Sequence, residues 1–128
     1  MAYFGMTTVL VDDYDTAIGH YVTAMGFTLV EDTDLGGGKR WVVVAPDPRT
    51  GARLLLARAD GDAQRARIGD QTGGRVGFFL YSDDFATDHA RYAAAGVRFD
   101  TEPREEEYGT VVVFSDHYGN RWDLIARR

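Results

Sequence analysis

A chain of 128 residues, 45% of them hydrophobic, is long enough to bury a core unaided, and with no cysteine it has neither disulfides nor thiol chemistry. The formal charge of −6 works against the basic face that phosphate contacts need, so no nucleic-acid partner is expected. No stretch approaches the run of about 20 apolar residues that crosses a bilayer, and MAYFGMTT lacks the basic start and apolar core of a leader, so no membrane partner and a cytoplasmic location are expected.

In chain order, Phe4–Val11 alternates and is rich in β-formers, which predicts the first strand. Asp13 stands where a helix N-cap belongs, and Tyr14, Ala17, Ile18, Tyr21, Val22 and Met25 follow at helical spacing up to Gly26. His20 lies off that stripe and is expected to face solvent. Phe27–Glu31 predicts a second strand, Asp34–Lys39 (DLGGGK) a flexible hairpin tip, and Arg40–Ala45 and Ala52–Ala57 strands three and four. Residues 59–74 are polar and Gly-rich and hold at most one short helix, which suits a connector. Val76–Tyr81 then predicts a strand, Asp84 caps a helix bearing Phe85, His89 and Tyr92, Gly96 ends it, and Val97–Phe99 is extended. His89 takes the place of Ile18, which predicts a partly buried, hydrogen-bonded side chain.

The closing stretch, VVVFSDHYGNRWDLI at 111–125, repeats VVVAPDPRTGARLLL at 42–56. Each runs from three valines to an Asp, through a turn with a Gly, into a second apolar run, and each is a predicted β-hairpin. Asp13 and Asp84 are 71 residues apart and Gly51 and Gly119 are 68 apart, so a nearly constant offset spans both helix caps and both hairpins. That marks duplication of one βαβββ unit. Residues 1–58 form the first module, 59–74 the connector and 75–128 the second, within one domain. Matching the two glycines sets Leu55 against Asp123.

Three segments carry a wider likeness: VDDYDTAIGHYVTAMGF at 11–27, SDDFATDHARYAAAGVRF at 82–99 and DHYGNRWDLI at 116–125. On these the chain resembles the vicinal oxygen chelate superfamily, the glyoxalase / bleomycin-resistance / extradiol-dioxygenase group, over nearly its whole length. The resemblance implies an α+β fold of duplicated βαβββ modules forming a curled-sheet cup, often completed across a homodimer. Metal-using members place ligands near the start of the first strand and on the last strand of each half. By the family spacing those positions are Met6, Leu55, Gly77 and Asp123. A thioether is a weak ligand and Leu and Gly offer none, so one carboxylate stands where a divalent ion needs three or four donors. No metal and no cofactor are expected.

The candidate ligand-binding residues are Met6, Thr8, Trp41, Leu55, Gly77, Phe79, Tyr81, Tyr108 and Asp123. Strand alternation turns Trp122 and Leu124 toward the helix layer and Asp123 to the opposite face. Two roles are open for Asp123: a carboxylate satisfied by Arg53 or Arg121, or a recognition group for a polar or cationic ligand. Phe79 and Tyr81 share a face with Gly77, whose missing side chain either admits a flat ligand or relieves crowding. Trp41 and Tyr108 are rim aromatics by position, and Glu105–Glu107 is expected to be a solvated charge run. The leading expectation is a homodimeric, metal-free protein that sequesters a small aromatic or antibiotic-like molecule, with no residue assigned to catalysis. The rivals are a lyase, isomerase or dioxygenase-family enzyme, with Asp123 working beside Tyr81 or His117 in the metal-free case, and a structural or regulatory module.

Overall fold

The computed structural model describes residues 1–127, and the chain divides into two compact units, Met1–Ile68 and the described residues from Gly69 on. The fold is α+β, with one curled sheet in each unit. The first unit runs β1 (Met6–Val11), α1 (Tyr14–Ile18), a π-helical segment (Gly19–Ala24), β2 (Thr28–Gly36), β3 (Lys39–Ala45), β4 (Arg53–Arg58) and α2 (Asp62–Arg65). The second runs β5 (Val76–Ser82), α3 (Phe85–Ala94), β6 (Arg98–Phe99), β7 (Arg104–Glu106), β8 (Gly109–Ser115) and β9 (Arg121–Arg127). The sheets are ordered β1-β4-β3-β2 and β5-β9-β8-β6, with β7 also paired to β8. In each, the first strand lies parallel to the last and the closing hairpin is antiparallel.

Both helix caps form as the sequence predicts. Asp13 accepts from the Thr16 amide at 2.8 Å and Asp84 from the Thr87 amide at 3.2 Å. These bonds hold both carboxyls below their ordinary value. The predicted single helix after Asp13 instead widens after Ile18, where the Met25 amide bonds His20 O, five residues back, at 3.0 Å. Tyr14, Ala17, Tyr21 and Met25 stay buried, whereas Ile18 and Val22 are half-exposed and His20 is half-buried, edge-on to Tyr21. In α3, His89 is stacked between Phe99 (4.1 Å) and Phe85 (5.9 Å) and is held by rings rather than by a hydrogen bond. Strand β2 runs on to Gly36, so the tip narrows to Gly37 and Gly38, both at positive φ.

The two closing hairpins use the same turn chemistry. Asp47 Oδ1 accepts the Arg49 amide and Asp116 Oδ1 accepts the Tyr118 amide, each two residues on. Gly51 and Gly119 follow at φ +86° and +98°. The second turn is the stronger. Asp116 is buried and takes four donors: the amides of Tyr118 and Asn120, the Asn120 side chain and the Trp122 indole N–H, at 3.0–3.1 Å. Asp116→Ala leaves these donors short of an acceptor inside the protein, and a loss of about 3 kcal/mol is expected in urea unfolding. Asp47→Ala, in an exposed turn, serves as the control; equal losses for the two would show that the second turn does not depend on its carboxylate.

Candidate functional site

The site is built by the alternation of β9. Trp122 turns to the helix side, stacked on Phe78 at 4.6 Å and on Phe114 at 5.8 Å, with Tyr92 of α3 5.4 Å from Phe114. Leu124 is fully buried. The intervening residues, Asp123 and Ile125, therefore face the other way. Asp123 sits in register between Phe79 of β5 and Val113 of β8, and Ile125 between Tyr81 and Val111. Together with Tyr108 and Arg127, these β5 and β9 residues bound a concavity of about 360 Å³.

Its walls are aromatic and open. Phe79 and Tyr81 on the sheet face and Tyr108 in the β7–β8 turn are 57%, 55% and 51% exposed, which is unusual for three large rings side by side. The Arg127 guanidinium lies 3.9 Å from the Tyr81 ring centroid. Its floor is a carboxylate. Asp123 is only 9% exposed, and its Oδ1 has no hydrogen-bond partner among the described residues. The two arginines that the sequence offers as partners are engaged elsewhere. Arg121 donates to Gly74 O at 3.3 Å and lies 3.7 Å from Asp100, and Arg53 donates to Pro48 O at 3.3 Å. Arg104 is bonded to Glu106 at 2.9 Å. Burial raises the Asp123 carboxyl above its ordinary value, against the pull of Arg104 and Arg121.

Four of the residues singled out from sequence thus meet in one place: Phe79, Tyr81, Tyr108 and Asp123. Gly77 does not join them. It is the extra residue of a bulge between Val76 and Phe78, and a Cβ there would come within 2.7 Å of Thr72 Cγ2, so the connector covers it. Neither an open approach for a flat ligand nor a face shared with Phe79 survives that bulge. In the first unit, Trp41 and Leu55 border a separate concavity of about 490 Å³ with Tyr14, Lys39, Arg40 and Arg58. Thr8 pairs with Leu55, and Met6 with Arg53, along the β1–β4 ladder. The Thr8–Leu55–Val43 row is the counterpart of Phe79–Asp123–Val113, with no titratable group. His117 is exposed in the β8–β9 turn, edge-on to Tyr118, and does not bound the second-unit concavity. The Glu105–Glu107 run is partly engaged, since Glu105 accepts from Thr110 and Glu106 from Arg104. Ile125 and Arg127 were missed, although both lie an even number of residues beyond Asp123 and so share its face.

The donor set does not fit a metal. Met6, Leu55, Gly77 and Asp123 bring one carboxylate and one thioether, and among the described residues no three His, Asp or Glu side chains cluster as ligands would.

The raised carboxyl makes a stability statement. Its native value exceeds its unfolded one, so between the two the native state holds the extra proton and stability falls as pH rises. Above that window the cost of burying the charge is fully present. Asp123→Asn removes it, so the ligand-free variant is expected to melt higher than wild type at about pH 7. The gain should vanish below the ordinary carboxyl range. A variant that melts lower at neutral pH would show that the carboxylate is satisfied after all.

Known proteins share this arrangement of strands. The family model described as Glyoxalase/Bleomycin resistance protein/Dioxygenase superfamily matches residues 3–124. An uncharacterized protein from Shewanella frigidimarina (strain NCIMB 400) is 50% identical over 118 residues, 91% of this chain and 87% of its own. The crystal structure of UcmS2 matches with a TM-score of 0.83 and 27% identity over 98% of each chain. That of TnmS3, an antibiotic binding protein from Streptomyces sp. CB03234, matches with a TM-score of 0.78 and 29% identity over 100% of this chain and 98% of its own. With the duplicated βαβββ units and the parallel closure of each sheet, these matches show that the chain belongs to the glyoxalase/bleomycin resistance/dioxygenase superfamily.

Proposed function

We propose that this protein binds and sequesters a small, flat aromatic molecule of antibiotic-like character, without metal and without turning it over. The observation that carries this reading is the set of three half-exposed rings, Phe79, Tyr81 and Tyr108, around one concavity of the second unit. Covering about 100 Å² on each ring at ~25 cal/mol per Å² offers about 7 kcal/mol of gross burial, several times what one hydrogen bond adds net. Association costs consume part of that, but stacking remains the dominant source of affinity. The likeness to TnmS3, described as an antibiotic binding protein, supports the same ligand class. A homodimer and a cytoplasmic setting belong to the proposal, the first tested by light scattering against the monomer mass of 14.2 kDa and the second by fractionation. No helix among the described residues is long and apolar enough to cross a membrane.

A second reading, proton transfer by Asp123 in a lyase or isomerase, draws on the raised carboxyl. It requires turnover in the wild type that falls about a hundredfold or more in Asp123→Asn at nearly unchanged affinity.

The proposal is tested by thermal shift against a panel of aromatic natural-product antibiotics, each with and without EDTA. A ligand that binds only the native state raises the melting temperature by mass action. At least one aromatic member is expected to do so, with no change on chelation, and Phe79→Ala should weaken it tenfold or more. A panel that produces no shift, or a protein that loses stability in EDTA, would overturn the reading.

A further inference from the structure

We infer that the aromatic molecule taken up in the second unit carries a neutral hydrogen-bond donor, a phenol O–H or an aryl amine or amide N–H, aimed at the Asp123 carboxylate where it lines the concavity. The inference rests on the reading of this concavity as an aromatic-binding site and adds to it the polar group that the ligand must present.

Among the described residues no donor satisfies Oδ1 of this carboxylate. Asp123 is nine-tenths buried, Oδ1 is unpartnered, and its neighbours across the ladder are Phe79 and Val113, which have no side-chain donors. Arg104 is held by Glu106, Arg121 by Gly74 O and Asp100, and Arg127 lies over Tyr81. Oδ1 itself is shut off from solvent, so a flat body seated on Phe79 and Tyr81 meets the carboxylate at the edge that lines the concavity and displaces water from that edge. With a donor at its edge the ligand replaces what it removes. Without one it leaves a charged acceptor dry, and a site of this kind discriminates strongly against the analogue that lacks the group.

The surroundings select a neutral donor over a cation. Arg104 and Arg121 already act on the Asp123 charge, and Arg127 is at the edge of the same concavity. An ammonium would enter beside the Arg127 guanidinium and shed its own hydration to reach the carboxylate. A phenol or amide N–H makes the hydrogen bond and avoids that repulsion.

Three naphthalenes of one shape test this: 2-naphthol, 2-methoxynaphthalene and 2-(aminomethyl)naphthalene, titrated by ligand-detected NMR at neutral pH. Naphthol is expected to bind at least tenfold more tightly than the methyl ether, about 1.4 kcal/mol, and more tightly than the amine. Asp123→Leu, which places at this position the residue that Leu55 provides in the first unit, should erase that preference while leaving the ether's affinity intact or improved. Should that variant not fold, Asp123→Asn decides: its amide keeps one carbonyl acceptor but no charge, and the preference should fall severalfold. Equal binding of naphthol and ether to the wild type, a preference that survives both substitutions, or tightest binding by the amine would each overturn the inference while leaving aromatic binding in place. Absence of binding by all three, with no effect of Phe79→Ala, would overturn both.

Discussion

The bond from the Trp122 indole to Asp116 sets the second unit in order. At 3.0 Å it ties the first inward ring of β9 to the turn that precedes it, and so fixes which residues of β9 face α3. Side chains alternate along a strand, so a slip by one would send Trp122 and Leu124 to the open face and drive Asp123 beneath the helix. The stack of Phe78, Trp122 and Phe114 resists that slip through ring area, and Asp116 resists it through direction. Asp123 is therefore placed by its neighbours rather than by any partner of its own. Its unpaired oxygen is the cost of a register chosen for other side chains.

Duplication shows that the cost is optional. The first unit holds its counterpart row with Thr8, Leu55 and Val43, and the ladder is no less regular for having no carboxylate there. The same backbone accepts leucine in one copy and aspartate in the other. In the second copy Phe79 stands where the first has the small Thr8, so the ring and the carboxylate sit side by side on adjacent strands. A change that adds both an exposed aromatic and a desolvated acid works against stability on two counts. Their joint presence in one row of one copy is what the proposed ligand would account for.

What the sequence made legible was local. Helix caps at Asp13 and Asp84 need only a carboxylate and the next turn, and the two hairpins need only valine runs, an Asp and a Gly. Alternation from Trp122 carried Asp123 to the correct face, and with it the grouping of Phe79 and Tyr81. The residues that were misplaced depend on contacts remote in sequence. Gly77 breaks alternation because Thr72 fills the space above a bulge, and no periodicity within β5 announces that. Strand β7 exists because Arg104–Glu106 finds β8 across a turn, although its composition reads as a solvated charge run. The π-helical turn at Gly19–Ala24 keeps the buried stripe of the predicted helix while changing its hydrogen bonds, a difference that side-chain spacing alone does not reveal. Arg127 was overlooked because a terminal arginine carries no pattern until a ring lies beneath it.

At the positions that the resemblance assigns to metal ligands, the side chains present suit hydrogen bonding better than coordination. Coordination needs several donors on one ion, and Leu55 and Gly77 offer none while Met6 offers only a weak thioether. A single carboxylate without co-ligands keeps both its capacity to accept and its negative charge. Burial then raises its proton affinity, and the nearby arginines hold the shift in check without bonding to it. On the proposed reading, the result is an acceptor that selects a ligand bearing a donor. Beside rings that supply most of the contact area, such a group contributes little to total affinity. On the proposed reading it governs instead which aromatic molecules are refused, because refusal depends on the penalty of an unmet acceptor rather than on the modest net gain of a met one.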